Sequence, residues 1–167
     1  LLDDLEIAED TAVFFISDNG FFRGEHRLGD KRSAYEESLR IPFMIRYPKV
    51  QPGPLLVNQM ALNLDVAPTI LDIAGVPIPS SMQGRSLLPF LTGATPGDWR
   101  DSFLFSYNID PEFPMAAVVP HIGLRRSDGL KIVNYSDDPG WNELYDTNVG
   151  ADPYEIINQF TSASHAG

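Results

Sequence analysis

Ala12-Val13-Phe14-Phe15-Ile16 form an unbroken apolar run, rich in aromatic and β-branched side chains, that stops at Ser17-Asp18-Asn19-Gly20. A run with no polar position has no face to give to water. It therefore predicts a strand buried on both sides and ended by a tight turn. Upstream, Leu1, Leu2, Leu5 and Ala8 fall at helical spacing and predict a helix over residues 1–9, broken at Asp10-Thr11. A helix feeding a fully buried strand is half of an α/β layer, where sites gather beyond the carboxyl ends of strands.

Further along, Ile41-Pro42-Phe43-Met44-Ile45-Arg46-Tyr47-Pro48 predicts a second apolar strand, entered and left by proline. Residues 63–74 read as a helix closed by Gly75, and residues 85–91 as a short helical segment. The turn-rich stretch 92–97 is the best internal boundary. Beyond it the pattern changes to short strands at 102–107, 122–126, 130–134 and 143–145, with Asp128-Gly129 as a two-residue hairpin signal. Ala151-Asp152-Pro153-Tyr154-Glu155 predicts the opening of a terminal helix. The expected fold is α/β: a few strands and helices of a large mixed sheet over residues 1–95, then a small antiparallel sheet with a packed helix over residues 96–167.

A formal net charge of -11 argues against nucleic acid or an acidic membrane surface as partner. No apolar stretch is long enough to span a bilayer. The 167 residues contain no cysteine, which removes disulfides, thiolate metal sites and thiol nucleophiles. The first residues are acidic and amphipathic rather than a basic leader, and no initiator Met is present. The chain is expected to begin in the middle of a longer protein, with compartment and oligomeric state left open.

Two adjacent segments hold most of the polar chemistry. In Ser17-Asp18-Asn19-Gly20, a carboxylate and an amide oxygen could present hard ligands to a divalent cation, although Asp-Asn-Gly is also a common turn. Gly24-Glu25-His26-Arg27-Leu28-Gly29-Asp30-Lys31-Arg32 follows directly. A lysine at a strand-end site could neutralise an anion undergoing transfer, and a histidine could hydrogen-bond or protonate a leaving oxygen. The plain alternative is a solvated charged loop, with His26 a structural hydrogen-bonder.

Taken in order, Ser17-Asp18-Asn19-Gly20, Gly24-Glu25-His26, Asp30-Lys31, Tyr35-Glu36-Glu37-Ser38 and Arg40-Ile41-Pro42 resemble the second signature region of the type I sulfatases, within the alkaline-phosphatase-like superfamily. The stretches 63–79 and 83–93 are similar to the family's next blocks, and 123–135 with 142–158 to its C-terminal hairpin and closing strand-helix. The resemblance covers about residues 1–160. It implies that residues 1–95 are the C-terminal part of a sulfatase catalytic α/β domain and residues 96–167 a small C-terminal α+β subdomain.

The resemblance further implies that Asp18 and Asn19 ligate a calcium ion and that Lys31 binds the sulfate group. His26 lies where many members place a polar residue near substrate. Glu36 and Arg40 are expected to hold the loop by ion pairing, and Asp65 to cap and pack. Family members use a formylglycine nucleophile made in a Cys/Ser-x-Pro/Ala-x-Arg motif. Here the only serine with an arginine four residues on is Ser81, before Arg85, and Gln83 occupies the Pro/Ala position. That segment belongs to a different block. The nucleophile and the remaining metal ligands are therefore expected in an N-terminal half of the same polypeptide, and the chain alone is expected to be inactive.

The implied substrate is a sulfate-ester small molecule or a sulfated glycan, with sugar, aryl and alkyl sulfates all open. A phosphonate monoester or phosphodiester hydrolase of the same superfamily is the alternative among enzymes. A non-catalytic metal-binding or interaction module is the alternative outside them. Against the module, an isolated pair of apolar strands would expose long hydrophobic surfaces.

Overall fold

The computed structural model describes residues 1–108 and 118–160. In chain order its strands and α-helices are β1 (Val13–Ile16), β2 (Phe22–Arg23), β3 (Gly29–Asp30), α1 (Glu36–Leu39), β4 (Phe43–Arg46), α2 (Val66–Ile73), α3 (Leu88–Leu91), β5 (Ser102–Tyr107), β6 (His121–Arg126), β7 (Leu130–Asn134) and β8 (Glu143–Asp146). Two compact units emerge, one made of Leu1–Asp18 with Pro42–Trp99, the other of Asn19–Ile41 with Arg100–Gly167. No helix of the described residues is long and apolar enough to cross a membrane.

In the first unit, β1 and β4 pair antiparallel from Val13↔Arg46 to Ile16↔Phe43. The expectation that β1 is buried on both faces is corrected here. Phe15 is 60% exposed and its cross-strand partner Met44 is 58% exposed, because a two-stranded ribbon covers neither of its own faces. The helix expected over residues 1–9 is also replaced by turns. Glu6 takes a left-handed φ of 58°, which ends the helical path after one turn, since L-residues do not continue a helix from that region.

The expected helix over 63–74 is present as a 3-10 turn, Asn63–Asp65, running into α2. Asp65 is fully buried and works as expected in capping and packing. Its carboxylate accepts hydrogen bonds from the backbone N–H of Leu62 and of Arg85, both at 2.8 Å. Thr69 extends the clasp, donating to the Asp65 carbonyl and accepting from the Leu87 N–H at 2.9 Å. A buried carboxylate is tolerated because its acceptor sites are filled.

In the second unit, β5-β6-β7-β8 form an antiparallel sheet in that spatial order, the small sheet expected from the sequence. Its core gathers Ala34, Val133 and Tyr135, with Phe105 and Val119 packed against them. The β6–β7 connection is a three-residue loop, Ser127-Asp128-Gly129, rather than the two-residue turn expected. Gly129 stands at φ 101°, the left-handed position that a three-residue hairpin assigns to glycine.

The terminal helix expected from Ala151 is absent among the described residues. Residues 151–160 make turns, with Glu155 at φ 52° and the Asp152 carboxylate accepting from the N–H groups of Ile156 and Ile157 at 2.9 and 2.8 Å. Asp152 thus draws the backbone into a side-chain turn that competes with helix. The helix tied to this sheet is instead α1, whose Glu36 Oε1 lies 3.1 Å from Arg125 Nε on β6.

Candidate functional site

Asp18 closes the first unit immediately after β1, and Ser17 Oγ donates to its Oδ1 at 3.3 Å. Asn19, next in the chain, opens the second unit. Its side-chain Nδ2 donates to the Gly20 carbonyl at 2.7 Å, a local bond that orients the amide and leaves Oδ1 facing elsewhere. That oxygen accepts a hydrogen bond from Lys31 Nζ at 3.0 Å. Lys31 and Asn19, twelve residues apart, are therefore brought together.

The neighbouring carboxylates of the lysine's loop are engaged within that loop. Asp30 pairs with Arg32. The Glu25 carboxylate accepts from the Arg23 N–H at 2.5 Å, a backbone bond that holds its pKa below the ordinary glutamate value.

The loop between β2 and β3 is short and sharply bent. Besides Gly24 at φ 120°, two non-glycine residues of the loop, His26 and Arg27, have φ of 51° and 60°, and Asp30 at the end of β3 has 78°. Such conformations are uncommon for side-chain-bearing residues and persist where surrounding contacts over-determine them. Phe22, 1% exposed, anchors the loop.

The structure packs His26 against the rings of Phe22 and Tyr35. Its ring stacks on Tyr35 at 3.9 Å and 10°, meets Phe22 edge-on at 6.3 Å, and puts Nε2 3.4 Å from Glu37 Oε2. Glu36, expected to hold the loop by ion pairing together with Arg40, turns to Arg125 and Lys131 instead.

Sequence reasoning missed the most buried charge near this loop. Lys131 on β7 has no solvent exposure. Its Nζ donates to the Ala34 carbonyl at 2.6 Å, pairs with Glu155, and lies 3.7 Å from Glu36 Oε1. The rings of Tyr35 and Tyr145 stand 5.8 and 5.9 Å from the ammonium, within cation–π range.

Burial depresses the Lys131 pKa in spite of its carboxylate partners, and burial raises that of Glu155. Tyr35 donates to Glu143 at 3.0 Å; burial and that carboxylate push its pKa up to about 12. The available signal was the alternation on β7, where Lys131 shares its face with Val133 while Ile132 points out.

As a metal site, this chain offers a partial set. The Asp18 carboxylate and the Asn19 amide oxygen are hard, consecutive donors, and calcium takes about six to eight such oxygens. Among the described residues there is no group of three or more His, Cys, Asp or Glu side chains placed to hold a metal ion. The donors present fit calcium in kind.

Residues 24–167 match the family profile described as N-sulphoglucosamine sulphohydrolase, C-terminal. The N-acetylglucosamine-6-O-sulfatase of Bacteroides thetaiotaomicron is 42% identical over 168 residues, a match covering 99% of this chain and 29% of that protein. A solved protein in complex with its substrate D-glucosamine-2-N,6-O-disulfate superposes with a TM-score of 0.83 at 39% identity, over 99% of this chain and 33% of that one. The phosphonate monoester hydrolase of Agrobacterium radiobacter superposes with a TM-score of 0.85 at 26% identity, over 99% of this chain and 34% of that one. The chain spans about a third or less of the length of these relatives.

Proposed function

Since the chain belongs to the N-sulphoglucosamine sulphohydrolase C-terminal family of sulfatases, we propose that it completes a longer enzyme that hydrolyses sulfate esters on amino sugars of a sulfated glycan. The observation that supports this most is the Lys31 ammonium set on the Asn19 amide oxygen at 3.0 Å, next in sequence to the Asp18 carboxylate. A cation held on an amide oxygen, with a carboxylate next in sequence, supplies the kinds of group that a transferring sulfuryl unit and its metal ion require.

Lys31 places a compact positive charge where negative charge builds on the sulfate oxygens, and a preorganised charge is worth most when water is excluded. Asp18 and Asn19 would hold a calcium ion from one side. What calcium and formylglycine supply when present is charge neutralisation at the sulfate oxygens and a nucleophile for sulfur. His26 serves the same loop, with its imidazole held between Tyr35 and Glu37.

The remainder of the polypeptide brings the nucleophile and the other metal ligands, and covers the apolar ribbon of β1 and β4. Without it the 167-residue chain is inactive. Likeness of backbone also extends to phosphonate monoester hydrolases, but at 26% and 30% identity they are less similar in sequence than the N-acetylglucosamine-6-O-sulfatase at 42%.

The deciding experiment is Lys31→Ala in the longer enzyme, with sulfate release from glucosamine 6-O-sulfate as readout. The expected loss in kcat is roughly 100- to 1,000-fold, as for removal of other preorganised charge-stabilising groups. Lys31→Arg should restore part of it, because the planar guanidinium keeps the charge and changes its shape. Unchanged turnover in Lys31→Ala would refute the assignment. Faster hydrolysis of a phosphonate monoester than of any sulfate ester would shift it to the other branch of the superfamily.

A further inference from the structure

The segments that carry Lys31 and Asn19 are both hydrogen-bonded to α1. Ser38 is 7% exposed, and both of its oxygens are spent on the two segments that carry the pair. Its hydroxyl donates a hydrogen bond to the Lys31 carbonyl. Its own carbonyl accepts from the Gly20 N–H at 2.8 Å, one residue beyond Asn19.

The Gly20 segment also runs so close to α1 that a Cβ there would stand 1.9 Å from the Glu37 carbonyl oxygen and 2.8 Å from that of Arg40. From the other side α1 is fixed to its own unit. The Glu36 N–H donates to Glu155 Oε2 at 2.7 Å, and the Glu36 carboxylate lies 3.1 Å from Arg125. One residue on a tethered turn of helix therefore clips the backbones on either side of the Lys31–Asn19 contact.

We propose that Ser38 is a positioning residue for sulfate-ester hydrolysis, acting through the Lys31 backbone to set where the Lys31 ammonium stands relative to Asn19. The proposal rests on the reading of Lys31 given above. Ser38 touches no reacting atom. Its hydroxyl lowers the freedom of the Lys31 main chain, so that the charge is preorganised and does not search for its place at each turnover. A displacement on the order of 1 Å at such a group is enough to lose roughly 100-fold in rate.

The test is a double-mutant cycle in the longer enzyme, combining Ser38→Ala with Lys31→Ala. The readouts are steady-state sulfate release from glucosamine 6-O-sulfate and calorimetric binding of inorganic sulfate. With Lys31 present, Ser38→Ala is expected to lower kcat by roughly 10- to 100-fold with KM changed less than about threefold, and to weaken sulfate binding. With Lys31→Ala in place, Ser38→Ala is expected to change either readout less than about twofold. If Ser38→Ala does not fold, Ser38→Cys, close in size and a weak donor, is measured in the same cycle and should show a smaller loss that again disappears with Lys31→Ala in place.

Equal losses in both backgrounds, or no loss when Lys31 is present, would overturn the positioning role while leaving the Lys31 assignment intact. Lys31→Ala without effect would overturn the sulfate-site reading and this role with it.

Discussion

The buried pair of Lys131 and Glu155 gives a quantitative test of how the second unit is held together. Lys131 is fully buried and Glu155 is 3% exposed. Both pKa values move toward the neutral form, with burial the leading cause in each. Desolvation thus exceeds mutual attraction, and the pair contributes little net stability while each member depends on the other.

Lys131→Met leaves Glu155 without its cation, and also strips the donor from the Ala34 carbonyl. The expected cost is about 3–5 kcal/mol. For a chain of this size that is a fall in Tm of roughly 6–20 °C, at 2–4 °C per kcal/mol. Glu155→Gln alone leaves the ammonium with the Ala34 carbonyl and the more distant Glu36 carboxylate at 3.7 Å, and should also destabilise, by less than Lys131→Met. The double substitution Lys131→Met/Glu155→Gln removes both charges, and the glutamine oxygen can still accept from the Glu36 N–H. Its cost should stay within about 2 kcal/mol of the parent, mainly for the Ala34 carbonyl left without a donor. Urea unfolding followed by far-UV circular dichroism yields the four free energies. A cost under about 1 kcal/mol for Lys131→Met, or a double variant as damaged as the sum of the singles, would refute the reasoning.

Four further outcomes are expected. Asp18→Ala in the longer enzyme should weaken calcium binding at least tenfold by calorimetry while the circular dichroism spectrum stays unchanged; unaltered affinity would remove Asp18 from the ligand set. Gly20→Ala should destabilise by about 1–3 kcal/mol or more, because its Cβ would meet the Glu37 carbonyl oxygen at 1.9 Å; a neutral result in thermal melts would contradict that packing. Tyr35, with its pKa raised from 10.0 to about 12, contributes stability that is complete below pH 10 and is lost as pH rises through about 12; phenolate absorbance at 295 nm that titrates fully at pH 10 without unfolding would disprove it. The isolated chain should release no sulfate from an aryl sulfate above a Lys31→Ala control, and measurable turnover would show that the nucleophile lies within it.

Much of the second unit was legible because period-2 alternation and turn residues report local geometry. The four strands fall within a residue of their expected limits. Asp65 was legible as a cap for the same reason, since its leading partner, Leu62, is three residues away. Long-range events were not legible. Glu6 and Glu155 go left-handed in segments whose composition favours helix, and Asp152 decides the second case by bonding Ile156 and Ile157. Lys131 was passed over because a lysine in a strand ordinarily faces water; its partners Glu36, Ala34 and Glu155 come from distant parts of the chain. Within the candidate site, the motif order pointed to Lys31 and Asn19, but nothing in the sequence identified Ser38 as the residue that clips their backbones.

The ties of Glu36 to Arg125 and Lys131 bear on how sulfatase segments could be exchanged. The turn at residues 92–97 looks like a natural crossover point in the one-dimensional sequence. A chimera joined there would inherit the loop and α1 from one parent and the sheet from another. It would have to rebuild an interior charge cluster from unmatched halves. Recombination is more promising when residues 19–41 travel with residues 100–160 as a single heritable block, even though 58 residues of other chain lie between them.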